Sequence, residues 1–519
     1  MKSGRDTDQI TMTYLRDAPG APIMYPRIHR SSREGQNAAV VTTRDEEELN
    51  PIAAEHYGAK TVAVEPGGVE VIPDSERHGN PRQLLWTWSS PNLEFATIAV
   101  GIIGPLFFGL TFWQTVAAIV LGTALGCSTH GILSSWGPMH GLCQMVLSRT
   151  GFGYRGNILP AGLNAVVAGI GWFAVNSISG ALALHVLVPG LSSTICLLII
   201  VAAQLAIAFY GHNLVQAFER YAGPVLAVIF AVGVVIVLAQ TDPGAARIDP
   251  GFPLPTSGGF LIEVAATFGY ACGWNPYASD YSRYFPRNSN RRAVGAYAAL
   301  GVFISCVVLE IAGAGMVSAA GQNADVLPGV YTGLMPTWLG DLTLLCIAVG
   351  AVAANVLNIY SGAMSFLALG IKLPPRRARS IVATIFGILG LILALVAIAN
   401  PGVNYENFLL VIAYWIGPWL GVVLVDRWMR RREAWDPWAV STKSVNWAGP
   451  VAMLVGLVVS IPLFSNQTEY LGVIPKAHPG IGDITFFVGF LVAAGLYAVL
   501  CKALPRPARA LSEQERATA

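Results

Sequence analysis

The chain has 519 residues, of which 54% are hydrophobic and 12% charged, about half the charge of an ordinary soluble protein. Residues 1–83 hold 23 of the 62 charged residues, leaving 39 for the following 436. That distribution excludes a uniform water-soluble fold and predicts a polar tail followed by a membrane body, since each span needs about 20 mostly apolar residues. A net charge of +2 without a basic, aromatic-interleaved stripe excludes a nucleic-acid binder.

The segment 1–83, with its run Arg44-Asp45-Glu46-Glu47-Glu48, reads as a largely flexible cytoplasmic tail, with room for part of it to be ordered by docking on the membrane body. Its start, MKSGRDTDQITMTYLRD, lacks the apolar core of a signal peptide. Twelve apolar segments follow, at 84–110, 113–136, 158–187, 193–211, 218–240, 260–282, 293–320, 341–371, 379–399, 405–427, 447–464 and 482–503. Runs of this length without period-two alternation predict an all-α multi-pass protein of 12 transmembrane helices and exclude a β-barrel. With the N-terminus inside, twenty of the 22 basic residues after position 83 fall on the cytoplasmic side, and only Arg247 and Lys476 fall outside. Both termini are therefore expected in the cytoplasm, and the membrane is expected to be the plasma membrane. Cys127, Cys143, Cys196, Cys272, Cys306, Cys346 and Cys501 sit mostly in apolar runs, with no CxxC pair or zinc spacing, so they read as packing residues.

The breaks inside the spans carry the functional signal. Segment one holds Trp88-Ser89-Ser90-Pro91-Asn92-Leu93-Glu94 and segment six holds Gly273-Trp274-Asn275-Pro276-Tyr277, with the prolines 185 positions apart. Proline inside a span removes a backbone donor, and a neighbouring Asn offers partners for the freed groups. A similar offset, 179, separates Asn176 on segment three from Asn355 on segment eight. The coincidence predicts a five-plus-five inverted repeat, about 84–240 and 260–427, with two accessory helices in 428–503 and a cytoplasmic tail at 504–519.

Trp172 and Asn176 stand one helical turn apart, and Asn355 and Asn358 also share a face. An indole beside amides suits a small, planar, mostly neutral ligand rich in N–H and C=O groups, because carboxamides pair with heterocycle edges while an indole stacks on the ring. Acids within spans are functional candidates by default: Glu94 past the first break, Asp280 after the second and Glu310 in segment seven, with Glu94 the leading proton carrier. Asp280 has an alternative role, pairing with Arg283. Glu263, Asp341 and Glu406 lie nearer span ends, where water can reach them. No metal site and no bound cofactor is expected, only a co-transported proton or sodium ion.

At WSSPNLEFA (88–96), SRTGFGYRGN (148–157), GWFAVN (171–176), GYACGWNPYASDYSRYFP (269–286) and NVLNIYSGAMS (355–365), the sequence resembles the nucleobase:cation symporter family one, in its purine-cytosine permease branch. The resemblance implies a LeuT-like fold and uptake of a purine, cytosine, hydantoin, allantoin or vitamin-like heterocycle. It assigns substrate stacking to Trp172, an amide contact to Asn176, a second aromatic to Trp274 or Tyr270, and edge pairing to Asn355. Asn358, Asn275 and Asn92 complete the expected substrate site. Sodium-coupled relatives place a Ser-Thr pair before this Asn, where the present chain reads Ala348-Val349-Gly350-Ala351. A proton-coupled importer working by alternating access is therefore the expected activity. The rivals are sodium coupling, or an amine or amino-acid transporter of the same fold; an enzyme would need a metal cluster or a nucleophile with its base, and neither motif is present.

Overall fold

In lipid a backbone amide finds no water to bond, so a chain this apolar satisfies its N–H and C=O groups within helices. The computed structural model describes residues 68–208, 212–249, 251, 254–371, 378–398, 401–431 and 444–504. The remainder of the expected tails, 1–67 and 505–519, and the loop residues Lys372, Arg376, Arg377, Arg432 and Lys443 lie outside the described residues.

The main helices are α1 (Gln83–Ser89), α2 (Phe95–Phe108), α3 (Phe112–Ser134), α4 (Ile158–Val166), α5 (Phe173–Leu187), α6 (Ser193–Ala208), α7 (His212–Gln240), α8 (Thr256–Cys272), α9 (Arg291–Ala320), α10 (Thr337–Leu367), α11 (Ala378–Ala397), α12 (Pro401–Met429), α13 (Ala448–Phe464) and α14 (Thr485–Ala503). Each of the twelve apolar segments overlaps at least one of them. Among the described residues, seven helical stretches are long and apolar enough to cross a membrane, and α1 with α2, bent by 60°, form an eighth candidate. Among the described residues the only β pairing is an isolated bridge between Asn466 and Leu471. Val235, Val396 and Val458 are about 70% exposed, an alkyl surface suited to lipid rather than water. All seven cysteines are buried, and none forms a disulfide.

The first break arises from Pro91. A 3-10 turn, Ser90–Asn92, separates α1 from α2, and Glu94 is extended at φ −156° and ψ 176°. Side chains take up the freed carbonyls: Asn92 Nδ2 donates to Trp88 O at 2.7 Å, and the Thr97 hydroxyl donates to Asn92 O at 2.6 Å. At the second break α8 stops at Cys272, and Pro276 sits in a 3-10 turn, Asn275–Tyr277. Segment six does not resume as α-helix; a further 3-10 turn, Ser282–Tyr284, carries the chain onward. Segment three is interrupted differently, by a π-helical turn at Val167–Trp172 between α4 and α5.

Helices α2, α3, α8 and α9 pack together as one group, and α5, α6, α10 and α11 as a second. Helix α7 touches both groups, and α12 lies between α8 and α14. The groups approach closely where α10 crosses the first break: a Cβ on Gly350 would fall on the Leu93 carbonyl oxygen and the Glu94 side chain.

Residues 68–78 form a strap along the end of the protein that carries the buried arginines. Ile72 N–H donates to Gly141 O at 2.9 Å, and Arg77 Nη1 donates to Pro138 O at 2.5 Å. Burial pulls the Arg77 guanidinium below its ordinary value, while Asp74 at 3.2 Å opposes that shift. Arg283, fully buried, donates to Gly68 O at 2.9 Å and to the Tyr360 hydroxyl of α10 at 3.1 Å. The strap thus ties the end of the second break to α10.

Replacing Gly350 with alanine forces α10 away from the Leu93 carbonyl and is expected to cost about 1–3 kcal/mol, the usual scale of overpacking. The thermal unfolding midpoint of purified protein reads this, with the exposed Gly244→Ala as the reference; equal midpoints would contradict the close crossing.

Candidate substrate site between the two helix breaks

The π turn ends at Trp172 and aims its indole at the second break. Its edge lies against Gly273, where any Cβ would crowd it. Tyr270, at a centroid distance of 5.5 Å, and Phe408, at 5.1 Å, meet Trp172 edge to face, an arrangement aromatic pairs favour. Tyr270 is fixed by a 2.6 Å hydrogen bond between its hydroxyl and that of Thr97. Trp274 donates its Nε1–H to Asn92 Oδ1 at 3.0 Å, so an indole of the second break is held by an amide of the first.

On the facing helices the amides form a chain. Asn176 Nδ2 on α5 donates to Asn355 Oδ1 on α10 at 3.0 Å, and Asn358 Nδ2 donates to the same oxygen at 3.3 Å. Asn355 Nδ2 in turn donates to Phe173 O at 2.8 Å and to the Ser177 hydroxyl at 3.1 Å. All four hydrogen-bonding valences of Asn355 are therefore filled by protein. Asn358 Oδ1 is buried and has no partner, so it is the acceptor this cluster leaves for a ligand.

Glu94 joins the two groups of helices. It is fully buried, and one carboxyl oxygen accepts from the Ser179 hydroxyl of α5 at 2.8 Å. The other faces the first turn of α2 without a well-formed bond. A cavity of about 360 Å³ adjoins this point, lined by Phe95, Ala99, Ser179, Leu393, Tyr405 and Phe408. Its size and apolar walls fit a small organic ligand.

The structure brings together Trp172, Tyr270, Trp274, Asn92, Asn176, Asn355, Asn358 and Glu94. Three expected residues lie elsewhere. Asn275 Nδ2 donates to the Thr129 hydroxyl on α3 at 2.6 Å. Asp280 accepts from Gln144 N–H at 2.8 Å, beyond the second break toward the strap. Glu310 accepts from the Thr123 hydroxyl at 3.0 Å, among α2, α3, α8 and α9. Glu263, expected to be solvated, is fully buried.

Sequence reasoning missed Ser179, Thr97, Tyr405 and Phe408. Ser179 was findable: Trp172, Asn176 and Ser179 sit at i, i+4 and i+7 on one helical face. Tyr405 and Phe408, ordinary aromatics in an apolar span, carried no such signal.

The chain is similar to known proteins. The family described as permease for cytosine/purines, uracil, thiamine and allantoin matches residues 71–489. The YxlA protein of Bacillus subtilis (strain 168) is 29% identical over 472 residues, 87% of this chain and 99% of that one. The purine-cytosine permease fcyB of Emericella nidulans is 28% identical over 476 residues, covering 85% of this chain and 89% of its own. Among solved structures, Mhp1, a nucleobase-cation-symport-1 family transporter in a closed conformation with bromovinylhydantoin bound, has a TM-score of 0.68. It is 20% identical, and the match covers 87% of this chain and 98% of that one.

The two amides on α10 are expected to respond differently to truncation. Asn355→Ala strands several buried partners, at about 1–3 kcal/mol each, and chiefly lowers the unfolding midpoint. Asn358→Ala leaves the midpoint closer to wild type and weakens ligand binding by about tenfold, the worth of one good hydrogen bond. Ligand affinity untouched by Asn358→Ala would remove that residue from the site.

Proposed function

We propose, from the premise that this chain belongs to the family of permeases for cytosine/purines, uracil, thiamine and allantoin, that it imports a nucleobase or related planar heterocycle by alternating access. It is a membrane transporter and not an enzyme. The observation that carries the substrate class is the placing of two indoles at the second break, Trp274 within it and Trp172 against Gly273, together with the open acceptor Asn358 Oδ1 on α10. Indole faces sandwich a flat ring, and a lone amide acceptor in a dry site selects a ring bearing N–H. With no Lys or Arg deep in the spans, the ligand carries no fixed negative charge.

In this reading the protein crosses the plasma membrane twelve times, with α13 and α14 as accessory helices outside a five-plus-five inverted repeat. The strap and buried arginines mark the cytoplasmic face, with both termini on that side. Broken helices at mid-membrane are the usual device of such carriers. The driving ion is a proton and its carrier is Glu94. Two observations support this: Glu94 bridges the two groups of helices through Ser179, and Gly350, in a stretch without hydroxyl side chains, is the residue of α10 that packs on the first break. A sodium ion takes several oxygen ligands, and that corner supplies few.

A thermal-shift series with purified protein against nucleobases, hydantoins and vitamins, with and without sodium, tests both parts. At least one heterocycle is expected to raise the midpoint, without any need for sodium. In vesicles, uptake is expected to rise when the outside is made acidic, and Glu94→Gln is expected to abolish accumulation driven by that gradient. Sodium-dependent binding and uptake, with accumulation unchanged in Glu94→Gln, would replace proton coupling with the sodium alternative.

A further inference from the structure

A second set of buried acids lies away from the substrate site, in the outer half of the protein. Glu263 on α8 and Glu310 on α9 are both fully buried. Neither carboxyl oxygen of Glu263 has a hydrogen-bond partner, and Glu310 keeps one oxygen free while the other accepts from Thr123 at 3.0 Å. The carboxyl carbon of Glu263 and the Thr115 side chain lie beside Gly104 on α2, while the Glu310 backbone lies against Gly101, one turn earlier. One stretch of α2 thus packs on the Glu263 carboxyl and on the Glu310 backbone.

The neighbours supply no positive charge. Glu263 feels Glu310 and Glu406 electrostatically, and Glu310 is felt by Cys127 of α3, Cys306 of α9 and Tyr405 of α12. Thr115 and Thr123 from α3 and Thr267 from α8 complete the polar groups nearby. Among the described residues no Lys, Arg or His acts on either carboxyl. Two buried carboxyls within electrostatic reach of each other and without a cation favour keeping a proton between them over both being charged.

A cavity lies on the outer side of the two acids, although neither carboxyl lines it. A cavity of about 150 Å³ at the outer ends of α2 and α9 is lined by Pro105, Leu110, Phe112, Asp242, Ala314 and Ser318. Pro105 adjoins Gly104 in the chain, and Ala314 lies one helical turn beyond Glu310 on the same face. The cavity has room for a few waters at about 30 Å³ each. Glu310 is ten residues from the outer end of α9, about 15 Å at 1.5 Å per residue. On the inner side, the Tyr405 hydroxyl donates to Ala96 O at 2.9 Å and is within electrostatic reach of both Glu310 and Glu94.

We propose that Glu263 and Glu310 form a second, proton-binding site, loaded from the outer face through the cavity over Pro105. The pair takes up a proton on a carboxyl oxygen and gives the same proton back, so no other reactant is consumed. A metal cation fits less well, since it takes several oxygens at once and only three carboxyl oxygens here are free. The role of the pair in transport rests on the proton-coupled reading above; its binding of a proton does not.

Infrared difference spectroscopy of the full chain in vesicles, between acidic and alkaline buffer and in light and heavy water, tests the proposal. The expected result is a protonated-carboxyl band that shifts in heavy water, is changed by Glu263→Gln and by Glu310→Gln, and survives in Glu94→Gln. A band indifferent to both substitutions overturns the proposal, as does one that sodium displaces at constant pH. Should either glutamine variant fail to fold, Thr123→Val, which removes the hydroxyl bonded to Glu310, is expected to shift the same band; no shift would count against it. Uptake that proves sodium-driven, or unaltered in Glu94→Gln, would overturn the coupling scheme and leave the infrared result to decide the acid pair alone.

Discussion

Inside a membrane a backbone N–H or C=O without a partner costs several kcal/mol, and the interruptions in this chain are built around that constraint. Where Pro91 withdraws a donor, Asn92 and Thr97 supply side-chain bonds to the carbonyls left over. The amide that repairs the first break also accepts from Trp274 in the second. Local repair and long-range attachment therefore use the same side chain, and one broken helix cannot move without altering the setting of the other.

Asn176, Asn355 and Asn358 show the same economy. Buried amides in membrane helices hold neighbours together with modest energies, about 0.6 to 2 kcal/mol. Here Asn355 spends all its valences on α5 and on its own helix. Such a residue sets the separation of two helices, and an adjacent amide with an open oxygen is the group able to recognise a ligand. The fully bonded amide and the amide with an open oxygen lie one turn apart on α10.

Much of this was legible in the residues. Helix positions could be read from apolar runs bounded by Gly, Pro and charge, and both proline breaks were visible because proline imposes the same backbone consequence in any setting. The pairing of Asn176 with Asn355 was foreshadowed by their offset, although sequence could not say that they would bond to each other. The features that escaped depend on the path of the backbone after a break. Segment six was expected to run on to residue 282, yet beyond Pro276 it winds on as 3-10 turns. That turns Asn275 toward α3 and carries Asp280 toward the strap. Glu263 was misjudged because distance from a helix end was taken as distance from water, whereas Gly104 and Thr115 close over it. The polar stretch 68–78 has the composition of a mobile tail, but Arg77 and Arg283 anchor it through backbone carbonyls, which no composition reveals.

The π-helical turn at Val167–Trp172 places one residue more in its turn than an α-helix would. Each residue added to or taken from a helix rotates its N-terminal part against its C-terminal part by roughly 100°. The aim of the Trp172 indole at Gly273 is thus a matter of counting as well as of chemistry. A chain with the same aromatic and the same amides, but one residue fewer in that turn, would regain a regular helix and swing α4 and its connections out of phase with α5. Homologues aligned across this stretch are therefore best compared by the length of the turn before the identity of its residues, because a single gap there changes the site more than most substitutions.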